Sequence, residues 1–83
     1  MTLPVPWGVM SAIQKKHRRL LGDAVRAKRK QIGFSQEKLA EKADLSTVFI
    51  SRIERGIESP SVVNLMKIAK ALAVHVQDLV DGF

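Results

Sequence analysis

Lys and Arg are the residues of this chain that could do chemistry in numbers: 14 of them stand against 8 Asp and Glu, a formal net charge of +6 in 83 residues. An excess of that size suits a polyanionic partner such as nucleic acid. Its distribution is uneven. Up to Lys30 the basic residues are Lys15, Lys16, Arg18, Arg19, Arg26, Lys28, Arg29 and Lys30, against Asp23 as the one acid. Charge alone leaves open a nucleic-acid surface and an ordinary solvated helix face, with an anionic membrane surface behind both.

Catalytic chemistry finds little to work with. His17 and His75 are far apart and neither falls in a metal-ligand spacing, and no Gly-rich phosphate loop occurs. Glu37 and Glu41 are interleaved with Lys38 and Lys42, the pattern of a solvated helix face. No enzyme activity and no cofactor or metal are expected. Without Cys, neither a disulfide nor a thiolate site can staple the fold, so stability must come from helix packing or association. No apolar run approaches the roughly 20 residues of a membrane span. The apolar start from Leu3 to Met10 contains Pro4 and Pro6 and follows no basic region, so a cytoplasmic location and no membrane partner are expected.

The elements that must position these charges are helical. Residues 1–10 lack periodicity, and their two prolines favour an extended arm in which Trp7 could serve as an anchor. Ser11 and Gln14 have the spacing of a capping box, and Ile13, Leu20, Leu21, Ala24, Val25 and Ile32 recur at helical intervals up to Gly33. This predicts a first helix over Arg19 to Gln31, with its extension back to Ser11 open because Gly22 weakens the middle by about 1 kcal/mol relative to Ala. Ser35 caps a second helix carrying Leu39, Ala40 and Ala43 on one face. Ser46 caps a third that ends at Gly56, and Ser59 or Ser61 caps a fourth with Val62, Leu65, Met66, Ile68, Ala69 and Leu72. A short fifth helix covers Val76 to Val80. The class expected is all-α, with residues 1–17 as an N-terminal arm or helix extension and 18–83 as one domain.

The stretch SQEKLAEKADLSTVFISRIERG, from Ser35 to Gly56, packs two short helices across a tight turn that admits only small side chains such as Ala40 between them. With the following IESPSVVNLMKIAKAL it resembles the Cro/C1-type (XRE-like) helix-turn-helix regulators, which include phage repressors and restriction-modification controller proteins. The likeness covers Leu20 to Asp81 and rests on Gln36, the run Ile50 to Gly56, Pro60 and Ser61. Asp44 stands where that family commonly has Gly, and Lys28 where many members have Leu. Asp tolerates the left-handed conformation better than most residues, and a Lys stem can lie along a core with its charge in water.

The resemblance implies a compact five-helix lambda-repressor-like fold and sequence-specific binding of an operator in double-stranded DNA. The third helix would lie in the major groove. Thr47, Val48 and Arg52 are then the base-reading candidates: Arg for guanine, Val48 and the Thr47 methyl for thymine. Gln36 sits at a helix N-terminus, where N–H groups and the dipole favour a phosphate, and Ser35, Ser51, Arg55 and Ser61 are further backbone candidates. Glu58 is unfavourable near phosphate, so its loop is expected to hold it away. Arg29 and Glu54 match family positions that form a partly buried ion pair. The Lys15 to Arg19 run reads as a backbone-contacting arm or a solvated helix extension. Val76, Leu79, Val80 and Phe83 supply more apolar surface than so short a helix can hide, which suggests a homodimer interface. An antitoxin that regulates its own operon is the alternative, with a toxin or RNA polymerase as possible protein partner.

Overall fold

The computed structural model describes residues 7–81, with side chains described from residue 14 onward. Phe83, and Pro4 and Pro6 of the expected arm, lie outside the described residues, as do the side chains of Trp7, Ser11 and Ile13. Five helices follow one another: α1 Trp7–Gln31, α2 Gln36–Ala43, α3 Thr47–Glu54, α4 Val62–Ala71 and α5 Val76–Val80, with no strand among the described residues. The first helix starts earlier than its periodicity indicates. Trp7 to Met10 are helical rather than extended, and Ser11 falls inside α1, where it cannot be an N-cap.

Hydroxyls start three of the helices. Ser35 Oγ accepts from Lys38 N–H at 2.9 Å, Ser46 Oγ from Phe49 N–H at 3.0 Å, and Ser61 Oγ from Asn64 N–H at 3.1 Å. Each satisfies an amide that has no partner within its helix. Ser61, not Ser59, is the α4 cap. The short α5 opens differently, with the Asp78 carboxylate accepting from the His75 backbone N–H at 2.9 Å.

The first four helices end alike. A residue with positive φ follows each one, Gly33 at 78°, Asp44 at 55°, Gly56 at 75° and Ala73 at 57°. The next N–H turns back to the carbonyl five residues earlier: Phe34 to Arg29, Leu45 to Ala40, Ile57 to Arg52 and Val74 to Ala69, at 2.9–3.1 Å. An apolar residue follows the left-handed turn each time, the pattern of the Schellman closure. Two of the four positions are glycine, for which positive φ carries no steric cost.

Packing follows from these entries and exits. Leu21 and Val25 of α1, Leu39, Ala40 and Ala43 of α2, Ile50 and Ile53 of α3, Ile68, Ala69 and Leu72 at α4, and Leu79 of α5 form one buried core. Each fully buried Leu or Ile contributes about 1.5–3 kcal/mol. Leu79 is a correction to the expected interface: it is fully buried in the chain's own core, and Val76 and Val80 pack half-buried against it. Ile32, read from its spacing as an inward residue, lies beyond the end of α1 and is exposed.

Gly22 has a role its propensity conceals. A Cβ there would collide with the Ile53 carbonyl oxygen and stand 2.9 Å from that of Glu54. The residue that weakens α1 as a helix is therefore the one that lets it cross α3 at backbone contact. Gly56 is a second close approach, where an added Cβ would lie 3.1 Å from Arg19 Cα.

Candidate nucleic-acid interface

Helix α3 has one face in the core and one in water. Ile50 and Ile53 are fully buried, while Thr47, Val48, Arg52 and Arg55 are exposed and Ser51 is half-buried. Positions 48, 51, 52 and 55 recur at the three- and four-residue intervals that put side chains on a common strip. Val48 is the outlier in chemistry, an apolar residue left 67% exposed. Phe49 turns the other way and packs against the core.

Two Arg–carboxylate pairs flank this strip. Arg29 Nε donates to Glu54 Oε2 at 2.6 Å and its Nη2 to Glu54 Oε1 at 2.9 Å, a two-point fork with side chains 10% and 3% exposed. The remaining polar atoms are also engaged: Arg29 Nη1 donates to the Phe34 carbonyl at 2.8 Å and Gln36 Nε2 to Glu54 Oε1 at 3.2 Å. Glu54 closes α3 at its negative dipole end, which a buried carboxylate tolerates only with such compensation. The second pair is looser. Arg52 Nε meets Glu58 Oε1 at 3.4 Å, with side chains 46% and 34% exposed.

The structure thus brings Arg29 and Glu54 together, and it sets the base-reading candidates Thr47, Val48 and Arg52 on one exposed face with Ser51 and Arg55. Arg55 Nε reaches the Ser51 carbonyl at 3.4 Å. Gln36 opens α2 half-buried with its amide on Glu54, so it is committed to the ion pair as well as being placed near solvent. Ser35 and Ser61 spend an oxygen lone pair on their caps but keep an O–H to donate. Glu58 departs from expectation. Its loop brings the carboxylate onto Arg52, at the exposed strip of α3, rather than away from it.

Three features were missed from the sequence. Gln36 completes the Glu54 environment, Glu58 partners Arg52, and Gly22 sets the α1–α3 crossing. Only Gly22 had a visible signal, a glycine inside a strong helical pattern. Among the described residues no group of three or more His, Cys, Asp or Glu could hold a metal, and no helix is long and apolar enough to cross a membrane.

The helix-turn-helix family profile HTH_3 matches residues 25–79, most of the chain. The chain belongs to that family. Among its relatives is control protein C.BamHI of Bacillus amyloliquefaciens, 48% identical over 65 residues that cover 77% of this chain and 80% of the relative. The transcriptional regulator SinR of Bacillus subtilis is 36% identical over 63 residues, 75% of this chain but 57% of SinR. Solved family structures superpose closely. The restriction-modification controller protein C.AhdI from Aeromonas hydrophila matches with a TM-score of 0.73 at 34% identity, covering 75% of this chain and 94% of that one. The P22 c2 repressor, solved in complex with a synthetic operator, matches with a TM-score of 0.70 at 33% identity over 76% and 96% of the two chains.

Proposed function

We propose that this chain is a transcriptional regulator that binds double-stranded DNA sequence-specifically, with α3 in the major groove and two copies on a two-fold operator. The observation that carries the reading is the outer strip of α3. A branched apolar side chain, Val48, stands in water between Thr47 and Arg52, a cost a free surface does not require and a thymine methyl would offset. Arg52 supplies a planar fork for guanine O6 and N7. Gln36, Ser35, Ser51, Arg55 and Ser61 offer donors to the flanking phosphates. A helix-turn-helix relative solved on its operator, and relatives named as control protein and transcriptional regulator, support the same reading. Residues 18–83 constitute the binding domain in this account, and 14–17 continue its first helix.

The two-copy element rests on a different surface from the one first expected. With Leu79 internal, the exposed apolar face is that of α4, where Val62, Val63 and Met66 are 74%, 63% and 57% exposed on neighbouring helical positions. A second copy covers it, and the two recognition helices then fall about 34 Å apart, one turn of DNA. Selection from random duplexes tests the whole reading: the enriched site should be a near-palindrome with half-sites about one turn apart. Sedimentation at micromolar concentration should show a dimer, dissociated by Met66→Glu. Enrichment of no sequence, or a monomer that stays monomeric on the selected duplex, rejects the corresponding element.

A further inference from the structure

Lys15, Lys16 and Arg19 of α1 do not stand on a featureless helix face. With Arg55, Gly56 and Ile57 they line a groove of about 460 Å³ between α1 and the segment leaving α3. At the base of the groove Gly56 approaches the Arg19 backbone closely, an added Cβ there lying 3.1 Å from Arg19 Cα. Its walls carry four cations and no carboxylate. The ion pairs among the described residues are Arg29–Glu54, Lys38–Glu41 and Arg52–Glu58, so none of the four is paired with a carboxylate of a described residue. Glu58, the acid nearest in sequence to Arg55 beyond the helix end, is taken by Arg52. Four like charges on a shared concave surface raise a local potential that favours an anionic occupant.

The position of the groove says which anion. Arg55 lies one turn along α3 from Arg52 and Ser51, on the same exposed strip, so the groove opens where the reading face ends. Ile57 adds an apolar patch to the lining, of the kind along which Lys and Arg stems can lie while their charges stay in water. We infer that this groove grips the sugar-phosphate backbone of the duplex beside the segment read by α3, which extends the footprint past the half-site. The inference rests on the DNA-binding reading above. Lys15, Lys16 and Arg19 precede the family-matched residues 25–79, so the grip is supplied from outside that segment.

The test compares the whole chain with its Lys15→Gln, Lys16→Gln, Arg19→Gln triple variant, which keeps a Cβ at position 19 against Gly56. Each protein is titrated with the selected site carrying about one turn of flanking duplex on each side, and with the same site trimmed of flanks, across a salt series. Each phosphate that a Lys or Arg no longer neutralises should make the slope of log K against log salt shallower by about 0.9, so the three substitutions together give a change of roughly 2.7 per protomer. That change should appear on the flanked duplex and shrink on the trimmed one, with the thermal melt and the preference for the site over scrambled DNA retained. Equal slopes for variant and parent on the flanked duplex overturn the inference while leaving the DNA-binding reading intact. Loss of binding to phosphatidylserine vesicles with unchanged DNA slopes also overturns it and assigns the groove to an anionic surface of another kind. If the parent binds no duplex at all, both readings fall together.

Discussion

The two Arg–carboxylate pairs beside α3 use the same functional groups to opposite ends. Arg29 and Glu54 are buried, meet at two points and have their remaining polar atoms engaged by Phe34 and Gln36. Arg52 and Glu58 meet once, at 3.4 Å, in contact with water. Burial makes the difference. A buried ion pair adds little net stability, but removing one partner strands a charge where water cannot reach it, so the geometry is enforced. An exposed pair is worth at most about 1 kcal/mol and its arginine can exchange a carboxylate for a base edge. One pair holds α3 in place, and the other leaves Arg52 available to the DNA proposed to lie against it.

Breaking the buried pair should give the largest effect. Glu54→Ala is expected to cost about 3 kcal/mol, lowering the melting temperature by roughly 12–24 °C for a domain of this size. A melt that does not move would show that the pair has no part in holding α3. Next in size is Arg52→Ala, which should lose about 1–3 kcal/mol of affinity on the selected duplex and far less on scrambled DNA, with the melt nearly unchanged. Equal losses on both duplexes would transfer Arg52 from base reading to phosphate holding.

Gln36→Ala sharpens the contrast from the buried side. It removes one hydrogen bond to Glu54, which should cost about 1 kcal/mol of stability. It should also weaken both duplexes evenly while leaving the salt slope in place, since a neutral amide releases no counterion. Unfolding and binding titrations together separate the two roles. The smallest effect belongs to Glu58→Gln, expected to shift stability by under about 0.5 kcal/mol and to raise affinity for any duplex modestly, because a negative charge is removed beside Arg52. If discrimination falls instead, Glu58 orients Arg52 and the exposed pair is less free than its exposure indicates.

Much of this architecture was legible because local signals and the global fold agree. Ser35 and Ser46 announce helix starts, Gly33 and Gly56 announce stops, and the inward set Leu39, Ala40 and Ala43 is read from spacing alone. Asp44 was legible as a turn because Asp accepts positive φ. Ala73 makes the same turn with no residue-type signal, since alanine is a helix former and its left-handed backbone is imposed by the packing on either side. Leu79 failed for a related reason. A five-residue helix seen alone cannot hide a leucine, but α1 and α4 lie over it, and that cover is a tertiary fact. The start of α1 was obscured by the prolines just upstream. The Arg29–Glu54 pair was accessible only through resemblance, since a separation of 25 positions carries no local sign that these two charges meet.

The crossing at Gly22 also determines the docking frame of α1. Between Gln14 and Gln31 it is the one position without a side chain, so sliding α1 by a turn would drive Arg18 or Arg26 into the Ile53 and Glu54 carbonyls. Helix α1 therefore has one permitted register on α3, selected by exclusion more than by attraction. Lys15, Lys16 and Arg19 lie on one side of that crossing and Arg29 on the other, joined by a continuous helix. A single steric stop thus sets the spacing between a surface that faces solvent and an ion pair that does not, and neither can shift along α3 without the other.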